Sequence, residues 1–189
     1  TNGGTITVDN SGTIESQACC ALDFNSTTDA ITATNSGTIK SVTSAAVGAR
    51  GTRNLTLNNS GTITGSGTLN KSGTDASVKS VIDLSNDGSV TGGIGATIIN
   101  SGTIQASGNN FHAISIGTDE VGGAEEDAFN NVTITNSGTI AGDQTAGDGV
   151  EGHAIRVYSD STGTTINIKE EATFTGGVDL GKTESTIVL

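Results

Sequence analysis

The sequence predicts an all-β chain wound as a parallel β-helix with three short strands per turn, and three observations carry that prediction. The pentapeptide Asn10-Ser11-Gly12-Thr13-Ile14 returns unchanged at 35–39, 59–63, 100–104 and 136–140, with a looser copy at 86–90. Its glycines, Gly12, Gly37, Gly61, Gly102 and Gly138, stand 25, 24, 41 and 36 residues apart, which reads as a basal turn of about 24 residues with the excess in loops, the mark of a solenoid. The composition is the third observation. With 28 Gly, no Pro, Met or Trp, one Tyr, four Phe and a hydrophobic fraction of 32%, the 189 residues can build a thin core but not a thick two-layer one.

Strand one precedes the pentapeptide, as Ile6-Thr7-Val8, Ile31-Thr32-Ala33, Leu55-Thr56-Leu57, Ala96-Thr97-Ile98, Val132-Thr133-Ile134 and Ile166-Asn167-Ile168. The apolar–polar–apolar order is the period-two signature of a half-buried strand. Strand two is the Thr-Ile end of the motif, with Glu170-Glu171-Ala172-Thr173-Phe174 in the equivalent place near the end of the chain. Strand three follows as Leu22-Asp23-Phe24, Val47-Gly48-Ala49, Ile82-Asp83-Leu84, Ile114-Ser115-Ile116, Ile155-Arg156-Val157 and Val178-Asp179-Leu180. Between strands one and two lies a corner held by Asn10, Asn35, Asn59, Asn100 and Asn136 and the glycines two residues beyond them. Asn and Gly are expected there because they tolerate left-handed backbone angles at a sharp turn. Stacked asparagines are also expected to hydrogen-bond along the axis.

Ile82-Asp83-Leu84 is assigned to strand three of the third turn. Taken as strand one it leaves 14 residues between Gly88 and Gly102, too few for a three-sided turn. The chain then makes six full turns in a single domain, 1–189, roughly 29 Å long at ~4.8 Å per stacked strand. Loop insertions are expected near 65–79 and 141–152, between strands two and three, and near 86–95 and 117–130, on the return to strand one. The ends are expected to be uncapped. Thr5, Ile6, Thr7 and Val8 enter directly on strand one, and Thr186, Ile187, Val188 and Leu189 form a seventh strand one. Open edges of this kind either belong to a longer solenoid or stack on one another, which makes these eight residues candidates for self-association.

Tandem Asn-Ser-Gly-Thr-Ile turns followed by Ala113-Ile114-Ser115-Ile116 and Ala154-Ile155-Arg156-Val157 resemble the repeats of proteobacterial autotransporter passenger domains. The resemblance covers nearly the whole chain. It implies a right-handed helix, secretion to the extracellular space or outer cell surface, and a role among adhesins, autoaggregation factors and a minority of enzymes. It also implies a C-terminal membrane barrel as anchor, and no such segment is in this sequence.

Charge narrows the partners. A formal net charge of −12, with 8 Lys+Arg against 20 Asp+Glu, repels a phosphate backbone, so nucleic acid is not expected. No apolar run approaches the ~20 residues of a membrane span. Thr1 opens directly into repeat sequence without a signal peptide, as expected of a processed or excised chain. Cys19 and Cys20 are adjacent, so a bond between them is strained; at least one is expected to be a small buried apolar residue, with a redox role or an intersubunit disulfide as the alternatives.

Catalysis on a β-helix needs clustered carboxylates on neighbouring turns. The outward row of strand three reads Asp23, Gly48, Asp83, Ser115, Arg156, Asp179, with no two carboxylates adjacent, and that of strand one reads Thr7, Thr32, Thr56, Thr97, Thr133, Asn167. No catalytic residue is assigned. His112 and His153 each precede Ala-Ile in consecutive turns and are expected about one strand apart, either as a metal pair or as a structural stack. Cys20, Ala45 and Ser80 at the equivalent positions supply no further ligand. Asp119, Glu120, Glu125, Glu126 and Asp127 crowd one loop that offers carboxylates to calcium but lacks the spacing of a calcium-binding loop. The Thr-x-Thr segments at 32–34 and 133–135 resemble ice-binding arrays, but the neighbouring column is broken by Val8-Asp9, Asn58, Ile99 and Lys169. The reading that follows is a non-enzymatic extracellular rod that associates with itself, by its side faces or by its ends, with cell-surface glycans as a further partner. Polysaccharide cleavage or binding and ice binding are the alternatives.

Overall fold

The computed structural model describes residues 5–25, 30–50, 54–68, 80–85, 95–109, 111–117, 129–144, 152–158, 161–181 and 184–189, and every regular element among them is a strand. Numbered in chain order, these strands form three parallel sheets. The first holds β1 (Thr5–Asn10), β4 (Ala30–Asn35), β7 (Asn54–Asn59), β10 (Gly95–Asn100), β13 (Val132–Asn136), β16 (Thr164–Ile168) and β19 (Ser185–Val188). The second holds β2 (Thr13–Ser16), β5 (Thr38–Ser41), β8 (Thr62–Thr68), β11 (Thr103–Asn109), β14 (Thr139–Ala141) and β17 (Thr173–Thr175). The third holds β3 (Leu22–Asn25), β6 (Val47–Arg50), β9 (Ser80–Ser85), β12 (His112–Ile116), β15 (Ile155–Val157) and β18 (Val178–Asp179). Each strand pairs with its equivalent one turn away, so the chain is a right-handed parallel β-helix of six turns plus a seventh strand one. Ile82-Asp83-Leu84 lies in register with Val47-Gly48-Ala49 and with Ile114-Ser115-Ile116, as its assignment to strand three required.

The alternation written in the sequence sorts the side chains. Ile31 and Ala33, Leu55 and Leu57, and Ile98 and Ile134 point into the core from the first sheet; Ile39, Ile63, Ile104 and Ile140 do so from the second. Val47, Ile82, Ile114 and Ile155 close it from the third, so one apolar column per inward position runs along the axis. At the outer strands the columns run out, and Ile6 and Ile187 are 42% and 43% exposed.

The corner asparagines extend this inward set with a polar column. Asn10 Nδ2 donates to Asn35 Oδ1 at 2.7 Å, Asn35 to Asn59 at 2.8 Å, Asn59 to Asn100 at 2.8 Å and Asn100 to Asn136 at 2.7 Å. All five asparagines are buried. Each Nδ2 also reaches the carbonyl of the glycine two residues on, at 3.0 to 3.3 Å. A buried amide with its donors and acceptor engaged carries little of the desolvation cost that an unpaired one would.

The expected reason for the corner glycines is corrected by the structure. Positive φ occurs, among the described residues, at Asn131, Gly108, Gly117, Gly163, Gly176 and Gly181, and at no corner Asn or Gly. What the corner demands is the absence of a side chain. A β-carbon on Gly61 would fall 2.7 Å from the carbonyl carbon of Ser36 and closer still to the Gly37 carbonyl oxygen. The Ser60 and Gly61 amides both donate to the Asn35 carbonyl, at 2.8 and 3.1 Å, which draws successive corners into that contact.

Two boundaries also move. Thr133 pairs with Thr165 and Asn136 with Ile168, so strand one of the sixth turn lies two residues earlier than Ile166-Asn167-Ile168 was aligned. The cause is a corner of four residues, 169–172, where other turns use two; it closes on the Ala172 amide donating to the Lys169 carbonyl at 2.9 Å. The insertion expected from residue 65 begins later, because β8 runs on to Thr68 and pairs with β11 along its length.

Candidate functional site

With the register corrected, the outer face of the seven-stranded sheet is more regular than the sequence suggested. Thr7, Thr32, Thr56, Thr97, Thr133, Thr165 and Thr186 stack in one unbroken column, one hydroxyl and one methyl per strand. The sixth member is Thr165, not Asn167. Beside it runs a second column, Asp9, Thr34, Asn58, Ile99, Thr135, Asn167 and Val188, in which Asn167 takes the place expected of Lys169. Asp9 is the only ionisable residue in these two columns, on a chain of net charge −12. Ile99, on the central strand, is 46% exposed.

The second sheet carries a similar but shorter array. Thr13, Thr38, Thr62, Thr103, Thr139 and Thr173 align in register. Its neighbouring column holds charge, with Lys40 Nζ 3.4 Å from Glu15 Oε1. β-Branched Thr suits a pleated strand, but a stack of one residue type over seven strands also presents a repeating surface.

The third sheet is a different kind of face. β9 and β12 are buried along their whole length, so Asp83 and Ser115, which alternation points outward, are not open to solvent. The Ser115 hydroxyl donates to Asp83 Oδ1 at 3.3 Å and lies 2.5 Å from Ser80 Oγ. Arg156 pairs with Asp179 on the next strand and stands 5.3 Å from the Tyr158 ring centroid. Neither Asp83 nor Asp179 has a second carboxylate on an adjacent strand, in agreement with the outward row read from sequence.

His112, on β12, and His153, two residues before β15, do fall on consecutive turns, with ring centroids 5.1 Å apart and planes at 63°. The His153 backbone N–H donates to His112 Nδ1 at 2.8 Å, so that lone pair is engaged and the neutral ring carries its proton on Nε2. His153 Nε2 sits 3.9 Å from Asp179 Oδ2. Among the described residues no three His, Cys, Asp or Glu side chains are placed to hold a metal ion. The acidic residues 119–127, the calcium candidate, lie outside the described residues, as does the looser motif copy at 86–90.

Cys19 is exposed and Cys20 half-buried, so the expectation that at least one is a buried apolar residue is corrected. The turn that carries them joins β2 to β3, which lie at the ends of the second and third sheets. Of the self-association candidates, Thr5, Ile6, Thr7 and Val8 lie on β1, and Thr186, Ile187 and Val188 on β19 with Leu189 just beyond, at opposite edges of the seven-stranded sheet. Sequence reasoning missed Thr165 and the continuity it gives. The signal was present, since Thr165-Ile166 repeats the Thr-Ile step of Thr97-Ile98 and Thr133-Ile134.

Comparison of this chain with known sequence families, with curated proteins and with solved structures found no match.

Proposed function

We propose that this chain is a non-enzymatic structural rod of the extracellular space or bacterial cell surface, and that it works by associating with copies of itself through the outer face of its seven-stranded sheet. The observation that carries the reading is the pair of columns on that face, seven strands of Thr beside a column with one ionisable residue, Asp9. Two acidic rods repel, and this is a face on which they can meet with little like charge opposed. The resemblance of the repeats to autotransporter passengers supports the surface location.

Side association is favoured over ice binding, which needs a regular second column where this face has Asp9, Asn58, Ile99 and Val188; addition of β1 of one copy to β19 of another is the competing mode of self-association. Two columns over seven strands make a small contact, in the range of weak association, and arrays of rods on a surface would strengthen it by multivalency.

Sedimentation velocity over a concentration series tests this. The average mass is expected to rise with concentration, and to rise further on going from about 0.01 M to about 0.15 M salt as the screening length falls from ~30 Å to ~8 Å. Ile187→Lys with Leu189→Lys should leave the association in place. A single species of monomer mass at every concentration and salt would overturn the reading.

A further inference from the structure

The second column of that face is arranged so that its exchange partners match when the rod is reversed about Ile99. Counting outward from β10, the flanking residues are Asn58 and Thr135, then Thr34 and Asn167, then Asp9 and Val188. A two-fold axis lying in the face, along the direction of β10, sets each residue of one copy against its counterpart in the other. Ile99 then meets Ile99 of the second copy, Asn58 meets Thr135, and Thr34 meets Asn167. The first column, being Thr throughout, is unchanged by the operation.

The geometry points to an isologous dimer: a second copy of this chain docks face to face with its rod axis reversed, with Ile99 on the two-fold axis. The inference rests on the proposed self-association and adds the face, the orientation and the contact residue. Three features support that occupant. The exposed Ile99 side chain, 46% accessible on the central strand, gains most by burial where a two-fold axis brings it against an identical apolar group. The pairs on either side set a hydroxyl against an amide, each able to donate and accept, so no donor is left facing a donor. Asp9 meets Val188 and not a second carboxylate. A closed two-fold contact of this kind also uses the same patch on both copies, which a single face can satisfy.

Thiol cross-linking tests the orientation, in a background of Cys19→Ser and Cys20→Ser and with a short linker matched to sheets packed about 10 Å apart. Ile99→Cys is expected to cross-link to itself. Thr34→Cys alone should not, but mixed with Asn167→Cys it should give the heterodimer; within one copy these positions are four strands, about 19 Å, apart. Self-cross-linking of Thr34→Cys, or no product from the mixture, would overturn the reversed arrangement. Ile99→Lys should weaken association at least tenfold, while Thr64→Lys on the second sheet leaves it unchanged. Sedimentation of the cysteine-free chain separates the two claims. Association without the expected cross-links removes the two-fold geometry and leaves self-association standing, whereas a monomer at all concentrations removes both.

Discussion

Gly61→Ala is expected to abolish the cooperative fold of the rod, whereas Gly12→Ala leaves it almost unchanged. The two glycines occupy the same position in the repeat and differ only in what precedes them along the axis. A methyl on Gly61 meets the backbone of the previous corner, at Ser36 and Gly37, while a methyl on Gly12 meets nothing within 4 Å. Backbone held by two amide hydrogen bonds to Asn35 O cannot retreat without breaking the ladders on both sides. Forcing it apart belongs with the overpacking changes that cost upward of ~4 kcal/mol, against about 0.5 kcal/mol or less for an open surface site. Guanidinium unfolding followed by far-ultraviolet circular dichroism reads the difference. Equal midpoints for the two variants would show that close corner stacking is not what selects glycine.

Asn59→Leu is expected to cost about 3 kcal/mol, although leucine is close in size and more hydrophobic. Asn59 lies in the middle of the amide column, accepting from Asn35 and donating to Asn100, both at 2.8 Å. Leucine removes the acceptor for one buried group and the donor for another, each left-over group costing about 1 to 3 kcal/mol. The sequence neighbour Asn58 points to the outer face, so Asn58→Leu should shift the same midpoint by no more than about 0.5 kcal/mol. Similar losses for the two variants would mean that the column contributes through shape and not through hydrogen bonding.

The fold was legible because the repeat states its own period. Five identical pentapeptides fix where each turn begins, and the residues between them can be counted into strands by alternation. The asparagine column was legible for the same reason, since identical residues at identical corners must stack. The role of the corner glycines was not. Rotational freedom and lack of a side chain both select glycine, and only the approach of one corner to the next distinguishes them. The sixth turn was misaligned because Lys169-Glu170-Glu171-Ala172 replaces a two-residue corner, and counting back from Thr173 carries the extra residues into the strand. That slip hid Thr165 and made the threonine column look broken. The burial of Asp83 and Ser115 was also invisible, because alternation reports which side of a sheet a residue faces and not whether that side is covered.

Negative-stain electron microscopy of the 189-residue chain across a concentration series tests the central claim, that copies meet by the side of the rod. Short particles that become two solenoids wide with rising concentration, without growing in length, are the predicted result. Fibres one solenoid wide that lengthen with concentration would contradict it and assign the association to the strand edges of β1 and β19.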